Sequence, residues 1–139
     1  MTNWEIYIKE AYSLIKRAEN ELVIDLQHDL EAYLVHLYAH YLDRPLVNTE
    51  PVGIKLLSSN MLPISQRKLV LKDIGDECLI IHAMEWGKHR WPSSSYYADL
   101  GQMAYTNRAY IVRPPEDIFD DLAIEFHTAT KILRKCRNN

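Results

Sequence analysis

Apolar residues recur along most of this chain at intervals of three and four, the spacing of one face of an α-helix. Ile8, Ala11, Tyr12 and Ile15 form the first stripe. Thr2-x-x-Glu5 before it has the form of a capping box, in which each side chain takes up an orphan N–H of the first turn. The spacing predicts a helix over about residues 3–19. From Asn20 to Asp25 it permits either one continuous helix or a break, since Val23-Ile24 lowers helix propensity and Asp25 is able to cap a new helix. The next stripe is Leu26, Leu30, Tyr33, Leu34, Leu37 and Tyr41, ending at Asp43-Arg44-Pro45, where proline stops a helix. Residues 45–63 carry three prolines and a glycine and read mostly as a connection, in which Val52, Ile54, Leu56 and Leu57 could make a short helix. Pro63-Ile64-Ser65 opens a long helix with Val70, Leu71, Ile74, Cys78, Ile81 and Met84 on its buried face, running to about Arg90 before Pro92. Ser93-Ser94-Ser95 offers capping hydroxyls to a helix over about 95–111, where Gly101 and Ala104 share a face with Tyr97, Leu100 and Ile111. Pro114-Pro115-Glu116-Asp117 starts a last helix whose face is Ile118, Leu122, Phe126, Ala129, Leu133 and Cys136. Four substantial helices, with a fifth short one, predict an all-α helical bundle of four to five helices in one domain spanning residues 1–139.

Composition supports this picture and narrows the partners. The hydrophobic share of 47% and charged share of 25% are those of an ordinary folded domain, and only 4 glycines leave few sites for tight turns. The net charge of −3 and the scattered basic groups argue against nucleic acid, which requires a basic surplus or stripe. One basic cluster, Lys131, Arg134, Lys135 and Arg137, ends the last helix, while Asp120 and Asp121 lie near its start, a polarity that complements the helix dipole. No apolar run approaches the ~20 residues a membrane span needs. Cys78 and Cys136 show no C-x-x-C spacing, and the start of the chain lacks the basic and apolar regions of an export signal. The expectation is a cytoplasmic protein with reduced thiols.

Two histidine stripes are the sharpest candidates for metal chemistry. Cys78, His82, Glu85 and His89 fall within about 60° of one another on one helix, a ligand set that Zn²⁺ or Fe²⁺ accepts. His36-x-x-x-His40, with Asp29 on the same side, lies on the earlier helix, and facing stripes would build a site in the bundle core. Neither stripe contains the E-x-x-H pair of di-iron carboxylate bundles, and a solvated helix face accounts for the early one. Cys78 sits in an apolar run and no third group orients a nucleophile, so nothing catalytic is expected. Glycine-rich phosphate loops are absent. Gly75 and Gly101 each interrupt a helix interior at a cost of about 1 kcal/mol, which points to close contact with a neighbouring helix. Around them, Asp73, Asp76, Tyr96, Tyr97, Asp99, Gln102 and Tyr105 could form a buried polar network or line a ligand pocket.

The runs Asp73-Ile74-Gly75-Asp76-Glu77-Cys78-Leu79 and Ser94-Ser95-Tyr96-Tyr97-Ala98-Asp99-Leu100-Gly101-Gln102-Met103-Ala104-Tyr105 resemble those of uncharacterised bacterial helical proteins of similar size. The likeness spans Asp73 to Tyr105 and, more loosely, Leu30 to Pro45; His82 and His89 are not part of it. It implies a bacterial, non-secreted helical protein and brings no activity with it. The functional expectation is a non-enzymatic interaction or regulatory protein without a cofactor, partnered by another protein or by itself. The alternative is a metal- or small-molecule-binding bundle using the histidine stripes or the tyrosine segment.

Overall fold

A computed structural model describes residues 2–44, 51–84 and 94–137, and every regular element among them is helical. The all-α class holds, but the described residues form seven helices rather than four to five. They are α1 (Asn3–Leu22), α2 (His28–Asp43), α3 (Val52–Ser59), α4 (Ile64–Met84), α5 (Ser94–Tyr110), α6 (Asp117–Ile124) and α7 (Phe126–Arg137). The extra helices arise at two breaks.

The first break answers the ambiguity at Asn20–Asp25. Thr2 caps α1 by accepting from Glu5 N–H at 3.2 Å. At the other end Val23 N–H bonds Asn20 O and Ile24 N–H bonds Glu19 O, the paired bonds of a Schellman stop. That motif needs a left-handed residue, normally glycine, yet Val23 fills it at φ 55°. Relief of the strain is worth about 1–2 kcal/mol, against about 0.5–1 kcal/mol for the added freedom of unfolded glycine. Val23 is almost wholly exposed, so no packing is lost. Val23→Gly is therefore expected to raise the melting temperature by a few degrees, and a thermal melt no higher than that of the parent would remove the argument.

The second break falls at Glu125, where the apolar spacing runs on without interruption. Gln102 on α5 takes up a carbonyl at this junction, its Nε2 donating to Ala123 O at 3.2 Å. Phe126 then enters the core as the first residue of α7, fully buried.

Helix α4 is central. It packs most extensively on α5, and also on α7 and α3, while α7 reaches across to α1. Its second half, from Cys78 to Met84, is buried all round, so no single stripe describes it. The core runs from Ile15 and Leu34 through Leu79 and Met84 to Leu122, Phe126 and Leu133. Tyr12, placed by its spacing on the inner face of α1, instead stands half exposed with Lys16 Nζ 5.9 Å from its ring centre. The basic end of α7 does more than offset a dipole. Arg134 Nη2 donates to His82 O at 2.9 Å and Arg137 Nη1 to Met84 O at 2.7 Å, tying α7 to backbone carbonyls of α4. Lys135 pairs with Glu21 of α1 at 3.3 Å.

Candidate functional site

Gly75 on α4 and Gly101 on α5 let α4, α5 and α7 approach closely. A Cβ on Gly75 would lie 2.5 Å from the Tyr105 ring, and one on Gly101 would lie 2.6 Å from the Phe126 ring. Next to Gly75 on α4 lies Asp76, the centre of a polar network. Tyr33 from α2 and Tyr105 from α5 donate their hydroxyls to its Oδ1, at 2.6 and 2.7 Å. Lys72 binds its Oδ2 at 2.8 Å. Burial, then the nearby Asp76 charge, pushes both tyrosines above the ordinary phenol range, so both stay protonated donors. Phe119 stacks on Tyr105 and meets Tyr33 edge-on, closing the network from α6. One carboxylate thereby joins three helices. The sequence placed Asp76 and Tyr105 together; Tyr33, 43 positions from Asp76, was read only as part of an apolar stripe.

The other residues of the tyrosine segment separate. Tyr97 is buried and meets Tyr96 edge-on, while the Tyr96 hydroxyl reaches toward Gly53 of α3. Asp99 is exposed, and Gln102 holds the α6–α7 junction.

The histidine stripes are likewise divided. His36, whose Nδ1 lies 2.8 Å from Ala32 O, lines a groove of about 470 Å³ between α1 and α2, with Ile8, Tyr12, Val35 and Glu31. His40 rests against Trp4, with ring centres 4.6 Å apart, and opens onto a cleft of about 290 Å³ between α2 and α4 with Tyr41, Arg44, Asp73 and Glu77. His82 is buried between Phe126 and His127. Cys78 is fully buried, and burial raises its thiol to about 12, as it does that of Cys136. A metal ligand or nucleophile must be thiolate, which this burial opposes. Glu85 and His89 lie outside the described residues. Among the described residues no group of three or more His, Cys, Asp or Glu side chains could hold a metal ion, and no helix is long and apolar enough to cross a membrane.

Among the described residues, exposed large apolar side chains recur on α3 and just after it. Its inner face buries Val52, Leu56 and Ser59 against α4 and α5. Its outer face presents Ile54 and Leu57, the turn that follows carries Met61, and Ile64 opens α4. These four are 53%, 73%, 86% and 56% exposed. Sequence reasoning took Ile54 and Leu57 together with Val52 and Leu56 as one apolar group; the signal it missed is that this helix is apolar on two faces.

No protein-family model matches the chain, and searches of curated proteins and of solved structures found no significant match.

Proposed function

We propose that this protein is a non-enzymatic interaction module that associates with itself through the outer face of α3 and the turn into α4. The observation that carries this reading is the set Ile54, Leu57, Met61 and Ile64, large apolar side chains left in water on α3, on the turn after it and at the start of α4, while the opposite face of α3 fills the core. Scattered exposed hydrophobics need no explanation, but four within residues 54–64 make this segment the candidate contact surface. A second copy is the natural occupant because two-fold association matches one patch with itself, and such dimers are the commonest soluble assemblies. The metal-binding alternative finds less support, since His36 and His40 open onto different cavities and Cys78 is sealed in the core. Nucleic acid is disfavoured by the use of Arg134, Lys135 and Arg137 within the fold.

Sedimentation velocity tests the reading. The parent is expected to sediment as a dimer that dissociates on dilution. The double variant Leu57→Glu, Met61→Glu should sediment as a monomer with an unchanged helical circular dichroism spectrum, because neither side chain supports the monomer core. A parent monomeric at every concentration, or a double variant that remains dimeric, would sink the proposal.

A further inference from the structure

Two carboxyls are drawn out of water between α1 and α2: Glu19, 4% exposed, and Glu31, 7% exposed. Buried charges are ordinarily paired and hydrogen-bonded. Here a single ammonium pairs with Glu31, with Lys16 Nζ 2.9 Å from its Oε2, and only its charge acts on Glu19. Glu19 Oε2 accepts a long bond of 3.4 Å from Leu26 N–H, and its buried Oε1 finds no N–H or cationic donor. The Glu19 and Glu31 side chains meet, and two like charges in contact disfavour each other's ionisation. The arrangement is satisfied when Glu19 carries a proton and donates it to Glu31.

Other charged groups surround the pair. His28, at the start of α2, bears on Glu31 from a distance, and Asp25 shares a cavity with Lys16 and Glu19. From α7, Lys135 is engaged by Glu21, while Asp121 and Glu125 of the α6–α7 junction face residues 24–27 of the turn. Glu19 also ties down the turn itself. Its backbone carbonyl accepts from Ile24 N–H at 2.9 Å and its side chain from Leu26 N–H, just beyond the strained Val23.

We propose that Glu19 and Glu31 share one proton and form a pH-sensitive latch on the α1–α2 hairpin, closed while the proton is held and loosened when it leaves. Burial, followed by the contact with Glu31, raises the Glu19 carboxyl to about 7. Burial acts in the same direction on Glu31, but the bonds from Glu19 and Lys16 outweigh it and hold that carboxyl below its ordinary range. In the unfolded chain both titrate near 4.5. The Glu19 contribution is therefore complete below 4.5 and is lost as pH rises through about 7. Glu31 acts oppositely, contributing above its unfolded value and losing that contribution only as pH falls through its lower folded value, so the rising-pH window belongs to Glu19.

Thermal melts of the full chain between about pH 5 and pH 8, set beside Glu19→Gln, test the latch. The amide keeps an N–H donor for Glu31 but cannot lose its proton. Parent melting temperature should fall across the window by about 5 °C more than that of the variant, and the variant should melt above the parent at the alkaline end. Amide exchange at residues 24–31 should accelerate with pH more steeply in the parent than in Glu19→Gln. A carboxyl ¹³C titration of the parent supplies the decision if the variant fails to fold: Glu19 should titrate near neutrality, and its midpoint should fall in Glu31→Gln. A Glu19 midpoint in the ordinary carboxylate range, or equal pH slopes in parent and Glu19→Gln, would overturn the proposal.

Discussion

Asp76→Ala is expected to destabilise the protein by about 3–4 kcal/mol, a substantial part of the 5–15 kcal/mol typical of a domain. The loss comes mainly from the two tyrosines. Tyr105 is fully buried and Tyr33 partly so, and each donates its hydroxyl to Asp76 Oδ1. Stranding a buried donor costs about 1–3 kcal/mol each. Lys72 adds little, because its side chain is 41% exposed and its ammonium can turn to water. Two controls separate this from a simple loss of charge. Asp76→Asn retains a carbonyl acceptor for both hydroxyls and should cost about 1 kcal/mol. In the Asp76→Ala background, Tyr105→Phe removes one of the stranded donors and should recover part of the loss, where in the parent it is destabilising. Urea unfolding measures all four combinations as a double-mutant cycle. An Asp76→Ala midpoint close to that of the parent, with an unchanged denaturant slope, would show that the hydroxyls are satisfied some other way.

This network marks how far the sequence could be read. Asp76 and Tyr105 stood out because they lie beside helical glycines, and a glycine in a helix interior is tolerated where something is gained by its small size. Tyr33 carried no such mark. On a 3.6-residue repeat it extends an apolar stripe, and nothing local says that its hydroxyl meets a carboxylate from a distant helix. The same blindness hid Glu19 and Glu31. A charged residue between apolar ones on a helix reads as the solvated edge, and only packing of α2 over α1 takes these two out of water. The histidines show the opposite limit. Positions four apart do share a side of α2, but the helix is flanked by two separate openings, and His36 and His40 fall into different ones.

Helix existence was legible from periodicity, and helix ends only where the end has a chemical signature. Thr2 capped α1 as its side chain dictates. Val23 concealed the stop of α1 because a β-branched residue stands where glycine is expected. The break before Phe126 leaves the spacing of apolar residues untouched and depends on Gln102 from another helix, so no local pattern could disclose it. Arg134 and Arg137 were legible as charge but not as geometry. Their targets are carbonyls of α4, and backbone acceptors carry no sequence signal.

Gly75→Ala and Gly101→Ala are expected to destabilise by about 1–2 kcal/mol each, and the corresponding leucines by more, while Gly53→Ala is expected to be neutral or stabilising. On helix propensity alone all three alanines should help, by up to about 1 kcal/mol. What decides the sign is whether the neighbour can give way. A Cβ on Gly75 would stand 2.5, 2.6 and 2.9 Å from three atoms of the Tyr105 ring. That ring cannot retreat, since its hydroxyl is held by Asp76 and its faces by Phe119 and Phe126. At Gly101 the new carbon would meet the fully buried Phe126 ring at 2.6 and 2.7 Å and Cys78 Cβ at 2.9 Å. At Gly53 the nearest atom is equally close, 2.5 Å, but it is the Tyr96 hydroxyl at the far end of a side chain that is 37% exposed. That phenol can swing into solvent, leaving the helix gain uncancelled. Chemical unfolding of the three alanine variants gives the comparison directly. Three similar shifts of one sign would mean that propensity or proximity alone governs, and that the rigidity of the facing ring does not.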